Sequence, residues 1–279
     1  MVRITALMDD KAGEHLGLVA EHGLSFYIEY QDQKYLFDCG ASEMPLYNAY
    51  RLGVDLSGLS AVMLSHSHYD HASGYRDLAE QGLAAPVLYT GPHFFESKYA
   101  RDGIRYTDLS AGFDEGFLAA HAVEHRTVEG LTEITHGMWL LSGFPRVNAF
   151  ETIPERFVRK TGEGFVRDDF PDEICLTLQV RGGLIVLVGC SHPGILNMLQ
   201  HVNQTLQQPI LGVFGGTHLM EADPERIQAT LAALKEMGVE EIGLSHCSGE
   251  TALSAIAQDP EMRGCHLGTG DSVFFESCF

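Results

Sequence analysis

Short apolar runs separated by polar turns fill the first ninety residues. The strand-like runs "VRITALMD", "LSFYIEY" and "KYLFDCG" come first, and the polar "QDQ" between the last two predicts a β-hairpin. The segments "YNAYRLGVDL" and "GYRDLAEQG" have helical spacing, whereas "LSAVMLSH" and "APVLYTG" are typical of buried strands. This part of the chain therefore predicts β-strands with helices between them.

The last third of the chain alternates more regularly between strands and helices. The predicted strands are "ICLTLQV", "LIVLVGC", "ILGVFGG", "EEIGLSHC" and "SVFFES". The predicted helices are "GILNMLQHVNQTLQ", "DPERIQATLAALKEMG" and "SGETALSAIAQD", and the second begins at an Asp-Pro pair that suits the N-cap and first helical positions. The pattern predicts an α/β fold, a layered sandwich with helices outside two sheets.

The middle of the chain, residues 91–172, has a weaker pattern. "LTEITHGMWLLSG" predicts a pair of strands, but residues 143–172 are charged, contain Pro and Gly, and show little periodicity. Long loops in compact domains are usually functional or disordered. We expect residues 1–279 to form a single domain, with residues 143–172 as a surface excursion or lid.

Three histidines and an aspartate occupy six residues at the end of the predicted strand "LSAVMLSH". In extended backbone alternate side chains point the same way, so His66 and His68 can share one metal. Asp70 and His71 follow a bend and are expected to face a neighbouring metal position. Imidazole and carboxylate together suit zinc, iron or manganese. A metal site is favoured over a merely polar loop, because an HxHxDH pattern directly after a buried strand is a motif with a specific chemical mechanism.

The other ligands of such a site are expected at strand ends elsewhere. His192, His218 and His246 each follow an apolar strand, in "LIVLVGCSHPG", "ILGVFGGTHL" and "EIGLSHCSG". Asp38 ends the buried strand "YLFDCG" and is either a turn residue or a carboxylate that orients a ligand histidine, which is the favoured interpretation. His266 is ambiguous. Structural roles are expected for the histidines at 15, 22, 93, 121, 125, 136 and 201, among which His22 precedes a core strand in "AEHGLS".

Composition and charge narrow the range of partners. The chain has 279 residues, a formal net charge of −20 and only 18 Lys and Arg, without a basic run. This charge repels nucleic-acid polymers and anionic membranes, so a small-molecule substrate is expected. A leader segment and a membrane-spanning apolar run are not apparent. The six cysteines lack CxxC spacing, and reduced thiols in the cytoplasm are expected.

Taken in order, six segments resemble one family of metal-dependent enzymes. "LSHSHYDHASG" and "LFDCG" resemble signatures of the metallo-β-lactamase superfamily. Together with "AEHGLSFYIE", "LVGCSHPGILNM", "FGGTHL" and "LSHCSG", they are similar to the branch named for 7,8-dihydropterin-6-methyl-4-(β-D-ribofuranosyl)aminobenzene-5′-phosphate synthase. The resemblance covers nearly the whole chain. It implies an αββα sandwich with one or two metals in a groove between the sheet ends.

The resemblance also implies a ligand set, although with departures from the usual pattern. It assigns His66 and His68 to a first metal that His192 completes, and Asp70 and His71 to a second metal that His246 completes. "LLSGFPR" contains no histidine, and "GCSH" stands where a bridging aspartate is expected. Cys190 could bind zinc as a thiolate, but a small buried side chain is the favoured interpretation. Without the bridge, weak binding of one metal and a preference for a metal other than zinc both remain open.

The expected activity is that of a metal-dependent hydrolase or transferase acting on a small phosphorylated metabolite through an activated water or a polarised substrate oxygen. Asp70 and His218 are the predicted catalytic residues, the latter as a general acid or oxyanion stabiliser. Arg146 is a candidate for binding phosphate, with an exposed loop arginine as the alternative. Zinc is the expected metal, with manganese, iron or magnesium as alternatives. Other readings are a phosphodiesterase or nucleotide hydrolase and a non-catalytic metal sensor or scaffold; the oligomeric state is open.

Overall fold

The computed structural model describes residues 1–278 and contains two seven-stranded sheets that face each other. The first sheet has the order β18-β1-β2-β3-β4-β5-β8, and its strands β3, β4, β5 and β8 run parallel. Its strands are β1 (Val2–Met8), β2 (Ser25–Tyr30), β3 (Gln33–Phe37), β4 (Ala61–Met63), β5 (Val87–Thr90), β8 (Glu124–Thr127) and β18 (Ser272–Phe275). The predicted "QDQ" hairpin is the turn between β2 and β3.

The second sheet has the order β17-β16-β15-β14-β13-β10-β9. Strands β14 to β17 are parallel, and the others pair antiparallel. Its strands are β9 (Leu131–Thr135), β10 (Met138–Ser142), β13 (Ile174–Val180), β14 (Gly183–Val188), β15 (Ile210–Gly215), β16 (Glu241–Leu244) and β17 (Arg263–His266). The predicted strand pair in "LTEITHGMWLLSG" is the β9–β10 hairpin.

Three apolar clusters show that the sheets and helices form four layers. The central cluster contains alternate residues of both sheets, such as Ile4 of β1 and Leu176 of β13. The opposite faces pack under helices: Leu7 belongs to the cluster over the first sheet, and Cys175 to that over the second. The helices are α1 (Met44–Leu52), α2 (Tyr69–Ala72), α3 (Gly74–Glu80), α4 (Glu115–Ala120), α5 (Ile195–Leu206), α6 (Pro224–Glu236) and α7 (Glu250–Ala257). The predicted αββα sandwich is confirmed.

A small third sheet, with the order β12-β11-β6-β7, lies outside the sandwich and was not predicted. Its strands are β6 (Lys98–Asp102), β7 (Arg105–Asp108), β11 (Phe157–Thr161) and β12 (Gly164–Arg167). The residues 143–172 predicted as an excursion therefore contain an ordered hairpin, β11–β12, which pairs with β6. Every residue of β7 is exposed, so its sequence carries no apolar alternation that could reveal a strand.

Among residues 1–278, no helix combines the length and the apolar character needed to cross a membrane.

Candidate metal centre

Four histidines predicted for the site follow parallel strands of the two sheets. His66 follows β4, His192 follows β14, His218 follows β15 and His246 follows β16. The carboxyl ends of neighbouring parallel strands meet at one edge of a sheet. The two edges also meet each other, because the amide of Ile174 on β13 donates to the carbonyl of Ser65 at a distance of 2.8 Å. The sequence order of the strands thus brings distant histidines together.

The first metal-ligand group consists of His66, His68 and His192. One ring nitrogen of each lies within 4.8 Å of the others, and all three side chains are buried. The Nε2 atoms of all three rings are buried and have no hydrogen-bond partner within residues 1–278. Burial lowers the pKa of each imidazole well below its ordinary value, which keeps the rings neutral. Buried unpaired nitrogens are costly, and a metal ion would satisfy them. These residues therefore fit a divalent metal.

Two phenylalanines from the excursion cover this group. The Phe170 ring stacks on that of His192 with centroids 3.7 Å apart. The Phe157 ring lies 5.3 Å from both His68 and His192. This apolar cover removes water from the imidazoles and accounts for their depressed pKa values. No sequence pattern in the charged segment 143–172 predicted that these two phenylalanines would lie at the site.

A buried ion triad connects the third sheet to the histidine loop. Lys98 Nζ lies 2.5 Å from Asp172 Oδ1 and 3.0 Å from Asp168 Oδ2. Burial opposes the charge on Lys98, but the two carboxylates outweigh it and raise the pKa of the ammonium group. The second oxygen of Asp172 accepts the amide of Ser67, between His66 and His68, at 2.9 Å. The triad therefore holds the backbone that presents the first group.

The second metal-ligand group consists of Asp70, His71 and His246. Asp70 Oδ2 lies 3.2 Å from His246 Nε2 and 3.9 Å from His71 Nε2. Burial would raise the pKa of Asp70, but the charge of His71 and hydrogen bonds from His22 and His246 hold it well below its usual range. Burial would likewise lower the pKa of His246, but Asp10 and Asp70 raise it well above its usual value. Carboxylate and imidazole donors suit zinc, manganese or iron.

Asp38 contacts His71 from the side opposite its ligand nitrogen. Asp38 Oδ2 lies 2.7 Å from His71 Nδ1 and accepts the Ser65 hydroxyl at 2.8 Å, while Oδ1 accepts the Ser65 amide at 2.7 Å. A carboxylate on the second nitrogen is the usual way in which proteins fix the tautomer of a ligand histidine. This arrangement suits the predicted orienting role of Asp38.

His218 lies beside the first group, in contact with two cysteines. Its ring centroid is 4.6 Å from that of His192, and neither ring nitrogen has a hydrogen-bond partner in the described part of the chain. Its ligand atoms group with the sulfurs of Cys190 and Cys247. Cys190 is buried, its pKa is raised by burial, and its Sγ lies 3.2 Å from His71 Nε2. Cys190 also groups with His66, so its thiol lies between the two metal-ligand groups.

Two residues at the second group were not predicted as site residues. His22 Nδ1 lies 3.0 Å from Asp10 Oδ2, and His22 Nε2 lies 3.1 Å from Asp70 Oδ2. Asp10 Oδ1 lies 2.6 Å from His246 Nδ1. The hydrogen bonds to Asp10 and Asp70 raise the pKa of His22 to about 9. A structural role was expected for His22, and its ring contacts both Asp10 and Asp70. The segment "AEHGLSFYIE" could have indicated it.

Arg146 is exposed, and its guanidinium donates to the carbonyl oxygen of Glu151 at 2.9 Å. Arg156, from the same excursion, lies over the Phe157 ring at 4.5 Å and pairs with Glu221 at 2.5 Å. Because Phe157 packs directly on His68 and His192, Arg156 brings a positive charge to the cover of the first group.

Two relatives align with this chain over most of its length. A 7,8-dihydropterin-6-methyl-4-(β-D-ribofuranosyl)-aminobenzene-5′-phosphate synthase of Methanocaldococcus jannaschii is 30% identical over 272 residues, covering 89% of this chain and 88% of that protein. An uncharacterised protein of the same organism is 29% identical over 266 residues, covering 95% of this chain and 98% of that protein.

Solved structures and a family model agree with these relatives. A crystal structure described as a metal-dependent hydrolase of the β-lactamase superfamily superposes with a TM-score of 0.85 at 30% identity, covering 99% of this chain and 100% of that chain. Zinc-bound PqqB from Methylobacterium extorquens superposes with a TM-score of 0.58 at 12% identity, covering 98% of this chain and 100% of that chain, which shows the fold alone. The family model for the metallo-β-lactamase superfamily matches residues 18–145. The chain therefore belongs to the metallo-β-lactamase superfamily.

Proposed function

We propose that this protein is a metal-dependent enzyme that replaces a phosphate or diphosphate group of a small metabolite, with water or a second substrate as the nucleophile. The observation that carries the proposal is the group of three buried, neutral imidazoles with unpaired Nε2 atoms beside a carboxylate–histidine group. Membership of an enzyme superfamily and the named synthase relative support catalysis over a non-catalytic scaffold.

His66, His68 and His192 would hold a first divalent metal, and Asp70, His71 and His246 a second. Zinc suits these donors best, because imidazole, carboxylate and the neighbouring thiol are all accepted zinc ligands. When bound, such metals supply Lewis-acid stabilisation of charge on oxygen and lower the pKa of a water nucleophile.

His218 is proposed as the residue that gives a proton to the departing oxygen. Its ring is buried beside His192, and its ligand nitrogen lies near the sulfurs of Cys190 and Cys247. Asp70 is proposed to hold the second metal and to orient the nucleophile. Its low pKa keeps it an acceptor rather than a proton donor at neutral pH.

The synthase relative supports a substrate class for the proposal, because its named product joins a dihydropterin to a ribofuranosylaminobenzene phosphate. For this chain we propose a dihydropterin with a diphosphate ester on its 6-methyl carbon. The arylamine nitrogen attacks that carbon, the carbon–oxygen bond breaks, diphosphate departs, and the nitrogen loses its proton. Arg156 lies over Phe157 in the cover of the first group and is suited to bind phosphate oxygens there. The net charge of −20 agrees with a small substrate.

The proposal is tested by metal analysis and turnover together. We expect purified protein to hold up to two equivalents of zinc or manganese. Zinc-loaded protein should release diphosphate from the dihydropterin diphosphate ester when the arylamine is present, and Asp70→Asn should lose this activity. Diphosphate release without the arylamine, or cleavage of bis-p-nitrophenyl phosphate, would identify a hydrolase instead. Protein that binds no metal, and whose turnover is unchanged by His66→Ala, would contradict the metal-dependent function.

A further inference from the structure

We propose that His22 is a fourth protein ligand of the second metal, alongside Asp70, His71 and His246. The second site would then be closed by the protein, and substrate would reach open positions only at the first metal. This inference rests on the proposed metal centre and adds a residue from the N-terminal segment to it.

The first support is the distance of each imidazole from one carboxylate oxygen. Asp70 Oδ2 lies 3.1 Å from His22 Nε2, 3.2 Å from His246 Nε2 and 3.9 Å from His71 Nε2. Two ligand atoms that are each roughly 2.0–2.1 Å from a tetrahedral zinc ion lie about 3.3 Å apart. His22 therefore lies as near to the shared oxygen as the two histidines assigned from the superfamily pattern.

The second support is the partner of each opposite ring nitrogen. Asp10 contacts two rings at once, with Oδ2 3.0 Å from His22 Nδ1 and Oδ1 2.6 Å from His246 Nδ1. Asp38 contacts His71 Nδ1 at 2.7 Å. Metal-ligating histidines almost always donate their other ring N–H to such a group, which leaves Nε2 as the ligand atom. The rings of His22 and His246 thus have Asp10 at Nδ1 and Asp70 at Nε2. The ring of His71 has Asp38 at Nδ1, and its Nε2 lies 3.2 Å from Cys190 Sγ and 3.9 Å from Asp70 Oδ2.

The third support is the backbone next to His22. The amide of Leu24 donates to the carbonyl oxygen of Asp70 at 3.1 Å, and the amide of Gly23 donates to Asp10 Oδ1 at 3.2 Å. Gly23 has a φ of 153°, and a Cβ on it would lie 2.6 Å from the Asp70 carbonyl oxygen. The segment is therefore hydrogen-bonded to the backbone of Asp70. Its glycine permits the close approach of the two backbones, which places His22 beside the Asp70 carboxylate.

Four protein ligands are typical of closed zinc sites, whereas catalytic sites keep three and an open position. The first group has three histidines whose free nitrogens converge. The two metals should consequently differ: the second should be retained against chelators, and the first should exchange. The competing interpretation is that a protonated His22 only forms ion pairs with Asp10 and Asp70 and binds no metal.

The test compares His22→Ala with a matched control, His93→Ala, in the full chain loaded with zinc. Both rings are about half exposed, at 52% and 56%, and both pair with a carboxylate, but His93 pairs with Glu96 away from the site. After dialysis against a chelator, we expect wild type and His93→Ala to retain one equivalent of zinc and His22→Ala to retain none. The zinc dissociation constant of the second site should rise more than the roughly 100-fold typical of losing an orienting partner.

Cobalt-loaded protein gives a second readout. The wild type should show one more paramagnetically shifted imidazole N–H resonance than His22→Ala, which a merely ion-pairing His22 would not produce. His22→Gln repeats both measurements if the alanine variant is poorly folded. Retention of zinc with an unchanged set of shifted resonances in these variants would overturn the assignment of His22 while leaving the metal-dependent function intact. Wild type that binds no zinc or cobalt would overturn both.

Discussion

The two metal-ligand groups lie side by side but achieve charge balance in opposite ways. The first consists of His66, His68 and His192, whose rings are neutral, covered by phenylalanines and left with unpaired nitrogens. In the second, carboxylates contact each imidazole, and the pKa of His246 is raised instead of lowered. The Nε2 atoms of the first group therefore have no hydrogen-bond partner among the described residues unless a metal binds. The second group instead has a network of hydrogen bonds between imidazoles and carboxylates that depends on their protons.

This difference indicates how each site would respond to metal. At the first group the ion would satisfy Nε2 atoms that have no hydrogen-bond partner among the described residues, so little has to be displaced. At the second group the ion must replace protons shared between imidazoles and carboxylates, and metal binding releases such protons. The first group depends on its apolar cover, and the second depends on its carboxylate partners.

The largest expected effect comes from removing a ligand of the first group. His192→Ala should lower turnover by about 10³-fold or more, because metal stabilisation of developing charge is worth several kcal/mol. The measurement is kcat for diphosphate release at saturating zinc, together with zinc content. His201→Ala is the control, since His201 lies on α5 and packs against Phe144 away from both groups. Equal activity of both variants would show that the first group is not needed for turnover.

The second expected effect concerns the support of the first group. Lys98→Met should lower the free energy of unfolding by about 3 kcal/mol, because it leaves Asp168 and Asp172 buried without a cation. The loss should fall at the low end of the range for buried pairs, since burial raises the pKa of Asp168 and lets it take up a proton.

Urea unfolding followed by circular dichroism measures this loss. The control is Lys235→Met, which removes an ion pair with Asp259 at the surface and should leave the unfolding midpoint nearly unchanged. Similar midpoints for the two variants would show that the buried triad is not needed to hold the histidine loop.

A smaller effect is expected when a carboxylate partner of the second group is changed. Asp38→Asn should weaken the binding of the second metal by about 10–100-fold, because His71 loses the carboxylate at its Nδ1. Titration of metal-free protein with zinc gives both dissociation constants. The first site should change less, since its rings do not pair with Asp38 directly. An equal loss at both sites would mean that Asp38 acts through the shared loop.

The smallest expected effect is on substrate binding at the cover. Arg156→Gln should raise KM for the phosphorylated substrate by about tenfold with little change in kcat, as expected when a contact of equal strength in the ground and transition states is lost. Arg146→Gln is the comparison, because Arg146 is the arginine that the sequence singles out, and it is exposed like Arg156 but donates to the carbonyl oxygen of Glu151. A KM effect in Arg146→Gln alone would favour the original assignment.

Much of the candidate site could be predicted because its signals are local. The spacing of His66, His68, Asp70 and His71 lies within one short segment, and His192 and His246 follow apolar runs that are evident as strands. The third sheet could not be predicted in the same way. The exposed β7 and the half-exposed β12 bury too little apolar surface to show a period of two.

The sequence by itself predicted a layered α/β fold from its apolar periodicity, and its resemblance to the metallo-β-lactamase superfamily implied the αββα sandwich. It also indicated the side chains that could bind metal, because periodicity and ligand spacing are properties of neighbouring residues. Only the tertiary structure decided which partners complete each group. His22 reaches Asp70, Asp10 contacts both His22 and His246, and Phe170 reaches His192 from the excursion. Such contacts depend on strand order and loop path, which bring distant segments within hydrogen-bonding distance. No local sequence pattern predicts them.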